Sequence, residues 1–176
     1  DALHELTGRS ALVEDPAGLA VLAGNQIAAP IQLDGSVAAK GVTLQPMEAP
    51  APGFPVLGGQ QHLEYNAAHT RAGLQLNLPD NLELDRPLVL VHWTDAGASL
   101  PQVHVRTGAY SKLQLVEFYL SANGSAGHNI ATTQVQAGEG SQVSRIVVRN
   151  WNPQTTAVHM ERLSADRDAL LRSIKD

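Results

Sequence analysis

The chain has 176 residues, enough for one domain with a hydrophobic core, and its 12 basic and 17 acidic residues give a net charge of −5. This acidic balance, with no long basic run, disfavours nucleic acid and anionic membranes as partners. The absence of cysteine excludes disulfides, thiolate metal ligands and a cysteine nucleophile from this sequence. Without a secretory signal pattern or an apolar stretch of roughly 18 residues, we expect a cytoplasmic protein with no membrane span.

The first third of the chain has weak periodicity. Two stretches, HELTGRSALVE and PAGLAVLAG, are candidates for a short helix or strand. Prolines at positions 46, 50, 52 and 55 predict an extended linker, because proline fixes φ and has no backbone N–H. We therefore interpret residues 1–59 as a small mixed α/β N-terminal cap that ends in a proline-rich linker.

A helix is predicted next, within GQQHLEYNAAHTRAG. Leu63 and Ala67 fall on one face at i,i+4 spacing, and no β-branched run interrupts the segment. Gly73 stands where a left-handed C-terminal cap would close the helix. Residues 60–176 are accordingly interpreted as a helix followed by the first coils of a strand array.

After this helix the apolar pattern changes from helical to alternating. The stretches that alternate are LQLNL, LELDRPLVLVHW, QVHVRT, KLQLVEFYL, ATTQVQA, SQVSRIVVR and TAVHMERL. Alternation is typical of strands that bury one face. The second part of the chain is therefore predicted to consist mainly of strands.

The strand array contains an internal repeat. VRTGAYSKL, beginning at Val105, aligns with VQAGEGSQV, beginning at Val135, with identical Val, Gly and Ser positions and an offset of 135 minus 105, or 30 residues. Fainter copies are LNLPDNLEL, which precedes, and LSADRDALL, which begins at Leu163. Units of two strands and a turn cannot bury an apolar face alone, so they must stack on their neighbours.

Stacked repeats predict a mainly β protein, a right-handed parallel β-helix (β-solenoid) fragment. Aromatic residues are only 4% of the chain, and stacked aliphatic ladders need few large rings, which favours this fold over a meander or sandwich with similarly spaced turns. Val105 and Val135 should then stack on one interior face. Gly108 and Gly138, which lie in the turns, are predicted to have positive φ.

Residues from about 60 to 173 resemble the SufB/SufD family, and SufD more than SufB. The order of elements carries the likeness: a strand ending PLVLVHW, the unit VHVRTGAYSKLQLVEFYL, the polar loop SANGSAGHN, another apolar-turn-apolar unit, and a His-containing strand entering LSADRDAL. Upstream, LEYNAAHTRAGLQLNLP is similar to the family pattern at Asn66, Ala67, Gly73 and Pro79.

The resemblance implies a non-catalytic scaffold subunit of an iron–sulfur cluster assembly complex, working as a pseudo-symmetric SufB–SufD pair with the ATPase SufC. It implies SufB-like and SufC-like partners and a cluster handled by the full complex, with no cofactor in this fragment. In the family, the His and Cys groups tied to cluster formation lie in the C-terminal half, and no position here matches them. No catalytic, cofactor-binding or metal residue is therefore predicted.

Several polar and aromatic residues are candidates for a functional site. Four of the seven histidines lie in or beside strands: His92, His104, His128 and His159. Since no H-x-H or H-E-x-x-H pair exists, they are predicted at surface or edge positions rather than as metal ligands. Glu117, in LVEFYL, is predicted on the solvent side of its strand rather than as a functional carboxylate. Trp93 and Trp151 are predicted to cap the stack.

The alternative function is a β-helix or jelly-roll carbohydrate-active enzyme or binding module. Such a protein would use Asp/Glu pairs or His clusters scattered in sequence, and carboxylates projecting from adjacent coils into a groove would favour it. The hydrolase motif G-x-S-x-G and the P-loop motif are absent from the sequence. At the C-terminal edge, Leu170, Leu171 and Ile174 are predicted to support self-association unless a helical tail covers them.

Overall fold

The chain folds as a β-solenoid whose parallel sheets enclose an aliphatic core. The computed structural model describes residues 13–47 and 58–176, and the solenoid has about four turns. The predicted mainly β, parallel solenoid is confirmed. HELTGRSALVE, up to residue 12, and the prolines at 50, 52 and 55 lie outside the described residues.

Short elements precede the regular coils. They are β1 (Gly18–Ala23), β2 (Gln26–Ile27), β3 (Gln32–Leu33), α1 (Gly35–Ala38), β4 (Thr43–Pro46) and α2 (Gln60–His69). The coils consist of β5 (Gly73–Leu78), β6 (Leu88–Thr94), β7 (Gly97–Ser99), β8 (Gln102–Thr107), β9 (Lys112–Ser121), β10 (Gly127–Ala137), β11 (Gln142–Asn150), β12 (Thr156–Ala165) and β13 (Leu170–Lys175). Neither described helix has the length and apolar character that crossing a bilayer requires.

The described strands form two sheets. The first has the order β13-β11-β9-β6-β1-β2, with β3 also paired to β1, and the second has the order β12-β10-β8-β5-β4, with β7 paired to β10. The main strands of the coils pair in parallel within each sheet. The short strands β2, β3 and β4 pair antiparallel. β1, within the predicted cap, pairs in parallel with β6 and so is part of the first sheet.

The predicted repeat corresponds to successive coils. Val105 pairs directly with Val135, and each is 1% exposed. The same ladder continues to Leu76 in the preceding coil and to Leu163 in the following one. The predicted stacking of Val105 on Val135 is therefore confirmed, and both fainter copies belong to the same row.

The glycines of the turns have a different purpose from the one predicted. Neither Gly108 nor Gly138 has positive φ; the left-handed residues lie two positions later, at Tyr110 (φ 54°) and Gly140 (φ 63°). A Cβ on Gly138 would lie 2.5 Å from the backbone oxygen of Thr107 in the coil below. The prediction of positive φ at these two glycines is wrong, and close approach of stacked turns requires them instead.

The helix α2 confirms the helix predicted from the sequence, but it ends differently. Thr70, its C-cap, is already extended, with φ −60° and ψ 132°, and Gly73 begins strand β5 without positive φ. The prediction of a left-handed cap at Gly73 is therefore wrong. A Cβ there would lie 2.7 Å from the Sδ atom of Met47, so glycine allows the close approach of the segment that follows β4.

Asn66 anchors α2 to the second sheet. Its side chain is fully buried, its Nδ2 donates to the Ile130 carbonyl at 2.5 Å, and its Oδ1 accepts from the Nε2 of Gln102 at 2.8 Å. Leu63, one turn earlier in the helix, packs with Met160 on the same sheet face. A buried amide with satisfied hydrogen bonds thus ties the helix to two neighbouring coils.

The main core lies between the two sheets. It is built from leucine and valine of the inward rows: Leu74, Leu76, Leu88, Leu90, Val103, Val105, Leu113, Leu115, Val135 and Val143. Because few of these side chains are aromatic, the sheets are held by stacked aliphatic ladders, as the composition indicated.

Candidate functional site

Polar and charged side chains replace aliphatic ones inside the later coils. One inward row of the first sheet runs from coil to coil through Leu88, Leu115, Arg145 and Ser173. The facing row of the second sheet runs through Leu74, Val103, Thr133 and Glu161. We call the polar group enclosed there the interior cluster: His92, Glu117, Tyr119, Arg145, His159 and Glu161.

Arg145 is the centre of the interior cluster. Its side chain and that of Glu117 are both 0% exposed. The Nε of Arg145 donates to Oε2 of Glu117 at 2.8 Å, and one terminal nitrogen also donates to that oxygen. Its other terminal nitrogen donates to Oε1 of Glu161 at 2.8 Å and to Ser173 Oγ at 3.3 Å. One guanidinium therefore links strands of both sheets.

The proton affinities of these groups follow from burial and pairing. Burial raises the pKa of Glu117 above its ordinary value, and the charge of Arg145 opposes that rise. Burial would lower the pKa of Arg145, but the carboxylates of Glu117 and Glu161 outweigh it and raise that pKa. Burial also works against the Glu161 carboxylate, yet its hydrogen bonds from Lys175 and Arg145 lower its pKa to about 2. Pairing with Arg145 and Lys175 thus favours the ionised form of Glu161, whereas burial of Glu117 works against its ionised form.

His159 is held neutral and in one tautomer. Burial, together with the nearby cations, lowers its pKa to about 3 although Glu161 acts in the opposite direction. An Arg149 terminal nitrogen lies 3.2 Å from Nδ1, and since a guanidinium only donates, Nδ1 must accept. The proton of the neutral ring is therefore on Nε2, which lies 2.9 Å from Thr133 Oγ1 and can donate to it.

His92 lies on the aromatic side of the cluster. Its ring is fully buried and stacks on Tyr119, with centroids 4.3 Å apart and an interplanar angle of 16°. Burial lowers the pKa of His92 to about 3; the nearby Arg145 charge and the competing protonation of His159 act in the same direction. Neither ring nitrogen of His92 has a hydrogen-bond partner within the described residues. The stack is therefore a neutral imidazole packed against a phenol.

The structure corrects three of the predicted surface positions. His92 and His159 are buried in the interior cluster rather than at the surface, and Glu117 faces inward rather than to solvent. His104 is half-buried and His128 is exposed, as predicted for surface positions. A signal for the error was present: Glu117 has the same alternation phase as Leu113 and Leu115.

Arg145 was missed altogether by the sequence interpretation. It alternates in phase with Val143 and Val147, so its inward position follows from the pattern of its own strand. It also carries the opposite charge to Glu117, close to one repeat earlier. Opposite charges on inward positions of neighbouring coils are the signal that would have found the pair.

The tryptophans pack laterally and are half-buried. Trp151 meets Tyr119 edge to face, with ring centroids 5.9 Å apart. Trp93 packs against the apolar patch on the outer side of the first sheet, which includes Val91 and Phe118. The prediction that both cap the stack is wrong, because each contacts a sheet rather than an end of the solenoid.

The interior cluster is suited to forming ion pairs inside the solenoid, with Arg145 bound to Glu117 and Glu161. Across residues 13–47 and 58–176, no group of three or more His, Asp or Glu side chains has a geometry that could hold a metal ion. Arg145 instead donates hydrogen bonds to the two carboxyl groups, and the neutral imidazoles of His92 and His159 pack against Tyr119. The arrangement binds neighbouring coils to one another.

The region that contains this cluster is similar to a known family. Residues 91–175 match the family model described as SUF system FeS cluster assembly, SufBD core domain. The matched segment begins inside β6 and ends with β13, so it covers the later coils. A comparison with curated proteins finds no match. The family-model match supports a place for this region in the SufB/SufD family of iron–sulfur cluster assembly proteins.

Proposed function

We propose that this chain is a non-catalytic scaffold segment of a cytoplasmic iron–sulfur cluster assembly complex of the SufBCD type, and that it is the SufD-like member. The observation that carries the proposal is the coincidence of the SufBD core match, residues 91–175, with the strands that build the later coils. The preference for SufD over SufB rests on the sequence resemblance over residues 60–173.

The placement of the carboxylates supports a scaffold over the carbohydrate-active alternative. That alternative calls for acidic side chains that project from adjacent coils into an open groove. Glu117 and Glu161, which lie in the coils before and after the coil of Arg145, instead face the interior and accept hydrogen bonds from Arg145. Their hydrogen bonds stabilise the stack and leave little of either carboxylate in contact with solvent.

Within the proposed complex the iron–sulfur cluster is cargo. The chain has no cysteine, and thiolates are the usual ligands of such clusters. Sulfur ligands would therefore come from SufB-like partner subunits, while the SufC-like ATPase completes the complex. After reconstitution with iron and sulfide alone, the chain should remain without a specific absorbance band.

Co-expression tests the proposal directly. The protein is produced with the SufB-like and SufC-like proteins of the same genome, and complexes are examined by native mass spectrometry. We expect a complex that contains all three. If the protein is folded by circular dichroism yet stays apart from both partners, and binds polysaccharides on a glycan array, the scaffold proposal is wrong and the alternative function gains support.

A further inference from the structure

The outward side of the second sheet carries two polar ladders. The first contains Gln45, Gln75, His104, Gln134 and Arg162, and the second contains Thr43, Asn77, Arg106, Gln136 and Ser164. Each residue pairs with the next along its ladder across neighbouring strands. We call these ten residues the polar face. All are polar and none is acidic, although the whole chain has a net charge of −5.

The cations of the polar face have no carboxylate partner among the described residues. Arg106 and Arg162 are exposed, and neither forms an ion pair within residues 13–47 and 58–176. Elsewhere the surface arginines Arg86 and Arg167 do find carboxylates, on Asp34 and Glu139 respectively. Partial burial and the charge of Arg106 lower the pKa of the nearby His104. The face thus presents two guanidiniums beside neutral hydrogen-bonding groups.

The spacing of the two arginines fits an extended chain. Arg162 lies two strands away from Arg106 and two residues away along the strand direction. With strands about 4.8 Å apart and a rise of about 3.4 Å per residue, their Cα atoms are about 12 Å apart. Residues four positions apart on one side of an extended segment span about 13 Å. Two carboxylates at that spacing can reach both guanidiniums at once.

We propose that the polar face binds an extended acidic protein segment whose carboxylates lie four residues apart. The two carboxylates pair with Arg106 and Arg162, since guanidinium and carboxylate form strong charge-assisted hydrogen bonds. Gln134 and Gln136 lie between them and offer both donors and acceptors to the segment's backbone. None of the ten residues is Phe, Tyr or Trp, the rings on which a sugar usually stacks.

Fluorescence anisotropy with labelled peptides tests this inference. The probe is a threonine-rich peptide with two glutamates four positions apart, and the comparison peptides place them three apart or replace them with glutamine. We expect the four-residue spacing to bind tightest. Arg106→Gln and Arg162→Gln should each weaken binding by about 3- to 10-fold. Arg172→Gln is the matched control, because it removes an exposed cation from the other sheet and should leave binding unchanged.

Several outcomes would overturn the inference. The glutamine peptide could bind as well as the glutamate peptide, or Arg172→Gln could weaken binding as much as Arg106→Gln. An anionic polysaccharide or single-stranded DNA that bound more tightly than the peptide would assign the face to another class of partner. Circular dichroism spectra of each variant show whether it is folded, and only folded variants are compared for binding.

Discussion

Replacement of Arg145 with methionine would show how strongly the interior cluster depends on charge pairing. The variant leaves Glu117 in the core, 0% exposed and without its donors. The carboxyl then avoids an unpaired buried charge by taking up a proton. From the ordinary pKa of 4.5, protonation at pH 7 corresponds to 2.5 units at about 1.36 kcal/mol each, or about 3.4 kcal/mol. This agrees with the loss of about 3–5 kcal/mol typical when a buried ion pair loses one partner.

The pH dependence distinguishes this mechanism from a simple packing defect. In the variant, the folded state keeps a proton on Glu117 while the unfolded chain releases it above its ordinary pKa. Stability therefore rises as the pH falls. The gap between parent and variant should narrow by up to about 1.4 kcal/mol per unit below pH 7, until the parent's own Glu117, whose pKa burial also raises, takes up a proton. The added change Glu117→Gln should restore part of the loss at pH 7.

Denaturant unfolding followed by circular dichroism and tryptophan fluorescence measures these free energies, and coincident transitions check that unfolding is two-state. Arg172→Met is the control, since Arg172 is an exposed arginine on the neighbouring strand β13 and its replacement should cost less than about 1 kcal/mol. Equal losses for the two variants, or a gap that does not change with pH, would refute the reasoning.

Three further outcomes are expected. Gly138→Ala should lower the free energy of unfolding by about 1–3 kcal/mol, because its Cβ would lie 2.5 Å from a carbonyl oxygen of the preceding coil. Gly35→Ala is the control: open space surrounds Gly35, so this change should be neutral. Thermal unfolding of both variants measures the difference. The pKa of His92 falls from 6.5 when unfolded to about 3 when folded, so its contribution to stability is lost as the pH drops from about 6.5 towards 3. His92→Phe should therefore flatten the acid limb of the stability curve, and an unchanged limb would contradict the burial of a neutral ring. Leu170 is 56% exposed on the edge strand β13, so the protein should associate with increasing concentration in sedimentation equilibrium. Leu170→Glu should abolish this association. A parent protein that is monomeric at all concentrations would show that the β13 edge does not support self-association.

Alternation and repetition were sufficient to predict the fold. The period of two identified the strands, and the offset between Val105 and Val135 identified the coils, because stacked strands must repeat their inward positions in register. The same alternation also placed Glu117 inside, in phase with Leu115. The predicted solvent position of Glu117 is wrong because Arg145 on the next coil pairs with its carboxyl group, and a paired charge can be buried.

Contacts between coils set the limit of prediction from one sequence. Gly138 is needed because the backbone of the preceding turn passes close to it, and no local pattern contains that distance. The neutral state of His159 likewise depends on burial and on Arg149, which lies on another strand. Asn66 is the intermediate case: the family resemblance singled out its position, and the structure supplies its partners on two coils.

The interior cluster also bears on the register of the stack. A one-residue slip would turn an inward aliphatic row to the outside, but a two-residue slip keeps aliphatic side chains inside, so the aliphatic ladders alone do not exclude it. Arg145 contacts Glu117 within the first sheet and Glu161 in the second, and both contacts form together in only one alignment of the late coils. We infer that the cluster specifies register more than it adds stability. The double change Glu117→Leu with Arg145→Leu should then keep the unfolding midpoint within a few degrees of the parent but give doubled amide resonances for β11 and β12 in NMR spectra. A single set of resonances at undiminished stability would show that the aliphatic rows alone determine the alignment.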